Sequence, residues 1–243
     1  MRIKAIVEYN GKNYQGWQKQ VEAPTIQEEI EKCISKILDQ ETVIYGSGRT
    51  DTGVHAKGQV FHFDVFKDID LDKFRYSLNR VLPIDIYVKE LEIVDNSFHS
   101  RFSLKDKIYT YRIHFKEKCP LERDNVYLCP FPTNIEVFKN ALSLFVGKHN
   151  FKNLTSKEED ENNFVRNIYS IDFSNEGSIL CVTFSGDGFM RYMIRDIVGV
   201  SLAVAQGKEN FEYLEDLLLE GQERNIVSYK APAEGLTLEK VNY

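Results

Sequence analysis

A single carboxylate between two glycines is the feature of this sequence that most directly suggests catalysis. Residues 48–56 read Gly-Arg-Thr-Asp-Thr-Gly-Val-His-Ala and put Asp51 between Gly48 and Gly53, two residues after the cation Arg49. Glycine lets a backbone take unusual dihedral angles and approach a ligand closely. A carboxylate on such a loop could act as a nucleophile or a general base. The alternative is an Asx-turn, in which the Asp51 side chain binds nearby backbone N–H groups, and the residue types favour both equally.

Two further patterns involve phenols and arginines. Tyr109-Thr-Tyr111 puts two phenols on one face of a predicted strand, where ordinary cross-strand packing is the alternative. Arg191 and Arg195 lie four residues apart in an otherwise apolar helical pattern at residues 189–205. A long apolar helix rarely buries an arginine without a carboxylate or phosphate partner. Asp196 points to another face of that helix and is not the obvious partner.

The sequence lacks the motifs of common cofactor and metal sites. Gly46 and Gly48 are not followed by the third glycine of a dinucleotide-binding loop, and neither a phosphate-binding P-loop nor a Gly-x-Ser-x-Gly motif occurs. The 4 cysteines form no Cys-x-x-Cys pair and have no histidine at metal-ligand spacing. The 5 histidines are scattered, and a structural histidine is the more common case. We therefore expect no cofactor, no metal and no disulfide framework.

Charge is distributed unevenly along the chain. The net charge of −6 argues against an indiscriminate nucleic-acid-binding protein, which usually has a basic excess. Residues 101–118 are nevertheless net positive, whereas residues 158–161 and 212–223 are acid-rich. A local basic face on an acidic protein is therefore possible, and the sequence does not locate it in space.

The order of helical and strand patterns predicts an α+β fold. Strands are predicted over residues 2–9, 42–45, 59–66, 84–94, 107–115, 165–174, 178–185 and 236–243, and helices over residues 25–39, 70–82, 135–146, 189–205 and 211–219. Thr25-x-x-Glu28 is a capping-box signature, and Asn175-Glu-Gly177 suits a hairpin turn. Since strands and helices do not alternate regularly, we expect a mixed, mainly antiparallel sheet with helices on one face.

The 243 residues are enough for two halves. We place the boundary near residue 105: residues 1–105 carry the Asp51 loop, and residues 106–243 carry the tyrosine strand and the arginine helix. Because no Pro/Gly/Ser-rich linker separates them, the halves are expected to pack closely. No apolar stretch approaches the ~20 residues that span a bilayer, and no signal peptide is visible. A cytoplasmic protein is the simplest interpretation.

Several motifs in order along nearly the whole chain resemble the tRNA pseudouridine synthase A family. Residues 48–56 match the family's catalytic motif. The other matches are residues 8–18 (Glu-Tyr-Asn-Gly-Lys-Asn-Tyr-Gln-Gly-Trp-Gln), residues 98–103 (Phe-His-Ser-Arg-Phe-Ser), Tyr109-Thr-Tyr111, residues 188–199 (Gly-Phe-Met-Arg-Tyr-Met-Ile-Arg-Asp-Ile-Val-Gly) and residues 231–238 (Ala-Pro-Ala-Glu-Gly-Leu-Thr-Leu). The nine-residue catalytic motif is highly specific.

This resemblance implies roles for individual residues. Asp51 corresponds to the essential aspartate, and Tyr109 to a tyrosine that takes the proton from C5 of the uracil. Arg195 corresponds to an arginine that pairs with the catalytic carboxylate, where its charge would keep Asp51 ionised. Arg49 corresponds to an arginine that helps to hold the target nucleotide out of its stack. The full set of candidate substrate-binding residues is Arg49, Thr50, His55, Arg101, Tyr111 and Arg191.

The resemblance also implies a fold, a substrate and an assembly. The family fold has two α+β halves that form one continuous sheet with an active-site cleft between them. Family members are homodimers without cofactor or metal, and they convert uridine to pseudouridine at positions 38, 39 and 40 of the tRNA anticodon stem-loop. Phosphate contacts could come from residues 101–118 and from Arg75, Arg80 and Arg191.

Two alternatives stay open at this stage. The chain could catalyse the same reaction on another RNA, such as ribosomal RNA, or it could be a catalytically silent RNA-binding protein. The complete set of Asp51, Tyr109 and Arg195 argues against silence. The residues do not decide whether Asp51 attacks the base, attacks C1′ of the sugar, or removes the C2′ proton.

Overall fold

A computed structural model describes residues 1–115, 120–156, 163–219 and 224–243. Its strands are β1 (Arg2–Tyr9), β2 (Tyr45–Gly46), β3 (His55–Asp64), β4 (Ile86–Val94), β5 (Asp106–His114), β6 (Tyr127–Leu128), β7 (Gly147–Asn150), β8 (Val165–Glu176), β9 (Ile179–Gly186) and β10 (Leu236–Asn242). Its α-helices are α1 (Ile26–Leu38), α2 (Leu71–Val81), α3 (Ile135–Ser143), α4 (Met193–Ala205) and α5 (Phe211–Leu218). Most strand pairs are antiparallel, and the predicted α+β class is confirmed.

The chain divides into two compact units. The first contains Met1–Lys105 together with Thr237–Tyr243, and the second contains Asp106–Leu236. The sequence predicts that the last strand belongs to the C-terminal half, and this assignment is wrong. Residues of β10 pair in parallel with the start of β3, with Thr237 opposite His55 and Leu238 opposite Ala56. The pairing joins the end of the chain to the unit that carries Asp51.

The first unit has β1 between β4 and β3, with antiparallel pairing on both sides. Alternate residues of β1, from Ile3 to Tyr9, are almost completely buried, as expected for a strand with one face in the core. Helix α1 buries Ile26, Ile30 and Ile34, which lie on one side of the helix. The Thr25 hydroxyl accepts from the N–H of Glu28 at 3.4 Å, so the predicted N-cap is confirmed; such a cap is worth about 1 kcal/mol.

The second unit has an antiparallel strand order of β5, β9, β8 and β7, and β6 pairs in parallel with β5. The predicted hairpin at residues 175–177 is confirmed: it joins β8 to β9, and Gly177 has a φ of 61°. Helix α4 packs against α3 and is buried along nearly its whole length, with Arg195 half-buried as the exception. An apolar helix of this kind is typical of a core element.

Several predicted boundaries differ from the structure. Strand β3 begins at His55 rather than at residue 59, because residues 55 and 56 pair with β10. Helix α4 begins at Met193 rather than at residue 189, because Tyr192 is left-handed with a φ of 65°. Helix α3 ends at Ser143 rather than at residue 146, and after a short turn an unpredicted strand, β7, begins at Gly147, which has a φ of 109°.

Some predicted features lie outside the described residues. These are the acidic residues 158–161, then Glu220 and Glu223 at the end of the acid-rich residues 212–223, and Lys116, Lys118 and Cys119. Within the described parts of the chain, no helix is both long enough and apolar enough to cross a membrane.

Candidate active site

Asp51 lies on a tight turn in the loop between β2 and β3. The N–H group of Val54 donates to the main-chain oxygen of Asp51 at 3.1 Å, and Gly53 has a φ of 78°. Glycine adopts a positive φ at no steric cost, whereas most other residues avoid it. The Asp51 side chain is half-buried. The main chain of Asp51 therefore closes the turn that precedes β3.

The end of β1 and the segment that follows it lie against the residues on both sides of Asp51. The Tyr9 hydroxyl is 2.8 Å from the Thr50 hydroxyl, and the N–H of Trp17 donates to the Thr50 carbonyl oxygen at 3.1 Å. On the other side, the N–H of Gly53 donates to the Tyr14 carbonyl oxygen at 3.4 Å. Hydrogen bonds from one neighbouring segment thus fix the residues before and after the carboxylate.

Two glycines allow this close approach. A Cβ atom on Gly11 would lie 2.0 Å from the Val54 carbonyl oxygen, and one on Gly16 would lie 2.6 Å from the Thr50 carbonyl oxygen. Both distances are far shorter than a van der Waals contact, and both opposing atoms belong to the backbone. Gly16 also has a φ of 85°. Gly11 and Gly16 therefore allow residues 8–18 to pack directly against the backbone of the Asp51 loop.

Trp17 fills the space under the loop. It is 2% exposed, and its ring centroid lies 6.0 Å from that of Tyr9 and 6.2 Å from that of Phe61. A Cβ atom on Gly46 would lie 2.6 Å from the Trp17 indole nitrogen, so only glycine fits at that end of β2. A large buried aromatic ring supplies much of the packing energy of its surroundings. The Trp17 ring thus packs between Tyr9 of β1 and Phe61 of β3.

Buried polar side chains complete the support of the loop. The Ser47 hydroxyl donates to the Gln59 side-chain oxygen at 2.6 Å, and the Gln59 amide donates to the Gly48 carbonyl oxygen at 3.1 Å. Burial raises the pKa of the Tyr9 phenol above its usual value, so this phenol keeps its proton. Sequence patterns did not identify Tyr9, Trp17, Ser47 or Gln59 as site residues. The single tryptophan among spaced glycines was the one signal that could have done so.

Three predicted substrate-binding residues of this loop differ in exposure. Thr50 and His55 are buried, at 7% and 4% exposure, and both bind within the protein. The His55 Nδ1 atom accepts from the N–H of Gly11 at 3.2 Å. Arg49 is exposed, and its Nε donates to the Gln18 side-chain oxygen at 3.2 Å. Arg49 can therefore reach a ligand, whereas Thr50 and His55 serve to hold the loop.

Arg101 lies on an exposed turn of the first unit. Its backbone N–H donates to the His99 Nδ1 atom at 3.1 Å, and its guanidinium lies 5.7 Å from the centroid of the Phe102 ring. Phe102 is itself 75% exposed. Arg101 is thus accessible to a ligand, as a phosphate-binding residue must be.

The two tyrosines of β5 have different surroundings in the second unit. The Tyr109 ring meets the Phe189 ring edge to face, with centroids 5.3 Å apart. Tyr111 is completely buried, and its hydroxyl donates to the Pro232 carbonyl oxygen at 2.7 Å. Burial also raises the pKa of the Tyr111 phenol well above its usual value. Tyr111, predicted to bind substrate, is thus a core residue of the second unit, and its hydroxyl is bound to the main chain.

Arg195 and Arg191 lie at the start of α4, but only Arg195 is inside the helix. The Arg195 Nε donates to the Ala231 carbonyl oxygen at 2.8 Å, and the N–H of Ala231 donates back to the Arg195 carbonyl oxygen at 2.9 Å. Arg191 is exposed and precedes the helix. Asp196 is 1% exposed and lies 3.8 Å from the Lys230 ammonium, so its ion pair is with Lys230. The two hydrogen bonds with Ala231 therefore fix the position of the Arg195 backbone and of its Nε atom.

The described residues contain no group of three or more His, Cys, Asp or Glu side chains that could hold a metal ion.

Comparison with known proteins identifies the family. A family model described as tRNA pseudouridine synthase matches residues 5–103 and 141–243. The chain belongs to the tRNA pseudouridine synthase family. The matched segments include the Asp51 loop and Arg195, whereas Tyr109 and Tyr111 lie between them.

Relatives of similar length share more than a third of the residues. A tRNA pseudouridine synthase A of Geobacillus sp. (strain WCH70) is 37% identical over 100% of this chain and 98% of its own length. The enzyme of that name from Acetivibrio thermocellus is 38% identical over 99% of both chains, and tRNA pseudouridine synthase A 2 of Clostridium perfringens (strain 13) is 40% identical over 99% of both. A chain in a crystal structure of a Cbf5-Nop10-Gar1 complex aligns with 82% of this chain and 53% of its own, at 13% identity and a TM-score of 0.37, which is too distant to bear on function.

Proposed function

We propose that this chain is an isomerase that converts uridine to pseudouridine at positions 38, 39 and 40 of the tRNA anticodon stem-loop, with Asp51 as its catalytic carboxylate. The observation that carries the proposal is the intact Asp51 loop in a chain of this family. The segment after β1 holds the residues on both sides of Asp51 with main-chain hydrogen bonds. Such rigidity is what a reacting carboxylate requires, because small displacements of a catalytic group are costly.

The reaction explains the residue types. The N1–C1′ bond of uridine breaks, the uracil turns, a C5–C1′ bond forms, and the C5 proton moves to solvent while N1 gains a proton. Atoms and charge balance, so the chemistry itself needs no oxidant, reductant or group donor. A carboxylate can assist by attacking the base, by attacking C1′, or by removing the C2′ proton. The remaining needs are a base for the C5 proton and a pocket that retains the detached uracil.

Each of the other candidate residues has a proposed role. Tyr109 takes the C5 proton, and Arg195 supplies a positive charge to the Asp51 carboxylate. Arg49 holds the target nucleotide out of its stack. Unstacking a nucleotide costs a few kcal/mol, and a contact with Arg49 would offset part of this cost. Arg101 and Arg191, both exposed, contact the RNA backbone. Thr50 and His55 position the loop from within the protein.

A direct assay tests the proposal and both alternatives. Purified protein, dialysed against a chelator, is incubated with unmodified tRNA and with ribosomal RNA transcripts, and pseudouridines are then mapped at single-nucleotide resolution. We expect new pseudouridines at positions 38 to 40 of tRNA without any added metal or cofactor. Modification of ribosomal RNA alone would support the same reaction on another substrate. Binding of RNA without any pseudouridine would support a silent RNA-binding protein.

Tyr109→Phe is expected to bind tRNA normally but to form product at least about 10²-fold more slowly, because a missing proton acceptor typically costs 10²–10⁴-fold. The substitution keeps the ring and its edge-to-face contact with Phe189. The measurement is single-turnover release of tritium from C5-labelled uridine, alongside tRNA affinity. Tyr169→Phe, which also removes one phenol oxygen, controls for the general loss of a hydroxyl in this unit, because Tyr169 is 49% exposed on β8. Turnover of Tyr109→Phe close to that of the wild type would mean that Tyr109 only packs.

We also propose that the enzyme is a homodimer acting in the cytoplasm, where its tRNA substrate would be found. The support is the resemblance of the motifs to a family of dimers. Light scattering at the concentrations used for the activity assay is expected to give twice the chain mass of 28.2 kDa. A fully active species of single-chain mass would contradict the dimer and leave the proposed reaction unaffected.

A further inference from the structure

Three cationic side chains surround one aromatic ring in the second unit. The Lys230 ammonium lies 3.7 Å from the centroid of the Tyr192 ring, the Arg191 guanidinium lies 4.8 Å from it, and the Arg195 guanidinium lies 5.4 Å from it. We call Arg191, Tyr192 and Lys230, with the neighbouring Arg195, the Tyr192 cluster. The proposed reaction uses Arg195 and gives no role to Tyr192 or Lys230.

The backbone fixes the Tyr192 cluster in place. Tyr192 has a left-handed backbone, which side chains other than glycine rarely adopt, and its carbonyl oxygen accepts from the N–H of Asp196 at 2.8 Å. The carbonyl oxygen of Arg191 accepts from the Thr155 hydroxyl at 2.9 Å. An unusual backbone conformation that is held on both sides often marks a functional position. Here it sets the ring between the charged groups.

Positive charge exceeds negative charge around this ring. Asp196 is almost completely buried and lies 3.8 Å from the Lys230 ammonium. Arg191 is exposed and, within the described residues, forms no ion pair; its guanidinium instead donates to the Tyr192 hydroxyl at 3.0 Å. Three cations that contact the same ring repel one another, and an anion from outside would relieve the repulsion. In a chain with a net charge of −6, such a concentration of cations requires an explanation.

We propose that Arg191 and Lys230 bind phosphates of the tRNA backbone, and that the Tyr192 ring holds both side chains ready for this contact. The proposal rests on the proposed function, since it takes tRNA as the ligand. Arginine and lysine are the usual phosphate-binding residues, and an aromatic face orders a cation without neutralising it. Ordering before binding reduces the entropy lost on binding. The cluster thus supplies a basic RNA-binding surface to an acidic protein.

The test measures tRNA affinity as a function of salt concentration. Arg191→Gln, Lys230→Gln and the double variant are compared with a double variant of equal charge change, Lys36→Gln with Lys73→Gln. Lys36 and Lys73 are exposed residues of α1 and α2. Fluorescence anisotropy with an unmodified tRNA transcript gives the dissociation constant between 50 and 300 mM salt. Circular dichroism and thermal melting confirm that each variant is folded.

Each single substitution should weaken tRNA binding by roughly threefold to tenfold and reduce the slope of log affinity against log salt by about 1. Arg191→Lys should keep the wild-type slope because it keeps the charge. Tyr192→Leu should weaken binding with the slope unchanged, because it disorders the cations without removing them. If the Arg191/Lys230 double variant and the Lys36/Lys73 double variant bind tRNA with the same affinity and the same salt slope, the proposed phosphate site is wrong. Since binding needs no turnover, a wild-type protein that binds tRNA but makes no pseudouridine would defeat the proposed function and leave this test valid.

Discussion

Asp51→Asn is expected to abolish pseudouridine formation, by a factor on the order of 10⁴ or more, while tRNA binding and the fold are retained. The amide has the size of the carboxylate, and the turn is closed by main-chain atoms of residue 51, which the substitution does not alter. What is lost is the negative charge and the basic, nucleophilic oxygen that the reaction needs. Single-turnover release of tritium from C5-labelled uridine measures the loss.

A matched control separates the loss of this carboxylate from the loss of any surface charge. Asp72→Asn makes the same chemical change in α2, where the Asp72 side chain is 98% exposed. The control should match the wild type in rate, affinity and melting temperature. If Asp51→Asn retained a tenth or more of the wild-type rate, the carboxylate would not be catalytic. A large drop in its melting temperature would instead indicate that Asp51 is needed for the loop's structure.

The features that sequence alone predicted well depend on local chemistry. Thr25 caps α1 and Gly177 turns the β8–β9 hairpin because capping and left-handed turns are decided within a few residues. The turn of the Asp51 loop belongs to the same class, since Gly53 provides it within a few residues of Asp51.

The burial of individual site residues was not predictable, because it depends on distant parts of the chain. Alternation along β5 places Tyr109 and Tyr111 on one face, but it does not say that the Tyr111 hydroxyl meets the carbonyl of Pro232, which is 121 positions away. The same limit applies to His55, whose Nδ1 is taken by Gly11. A polar side chain within a catalytic motif can therefore contact the protein instead of the substrate.

Long-range pairing and unusual backbone angles account for the other differences. The last strand joins the first unit because β10 pairs with β3, and no pattern near residue 237 could reveal that partner. Tyr192 is a tyrosine in a left-handed conformation, which costs about 1–3 kcal/mol and which propensities count as improbable. Sequence patterns therefore extended α4 through Tyr192 to residue 189, and the separation of Arg191 from the helix became visible only in three dimensions.

Gly16→Ala is expected to destabilise the protein by about 3 kcal/mol and to slow pseudouridine formation by about 10²-fold. The added methyl group would lie 2.6 Å from the Thr50 carbonyl oxygen, a backbone atom next to Asp51. Relief of that clash must push residues 10–17 away from the loop and loosen the hydrogen bond from Trp17 to Thr50. Urea unfolding and single-turnover kinetics report the two effects separately.

Gly207→Ala isolates the contribution of the contact from that of backbone strain. Gly207 also has a positive φ, of 71°, but nothing lies within 4 Å of the position its Cβ would take. The free energy of unfolding of this control should fall by only about 1–2 kcal/mol, the cost of a left-handed alanine. Its rate at saturating enzyme should equal that of the wild type. The difference between the two variants measures how strongly the segment after β1 holds Asp51. Equal losses of stability, with equal rates, would mean that the loop keeps its geometry without Gly16, and that its rigidity has another source.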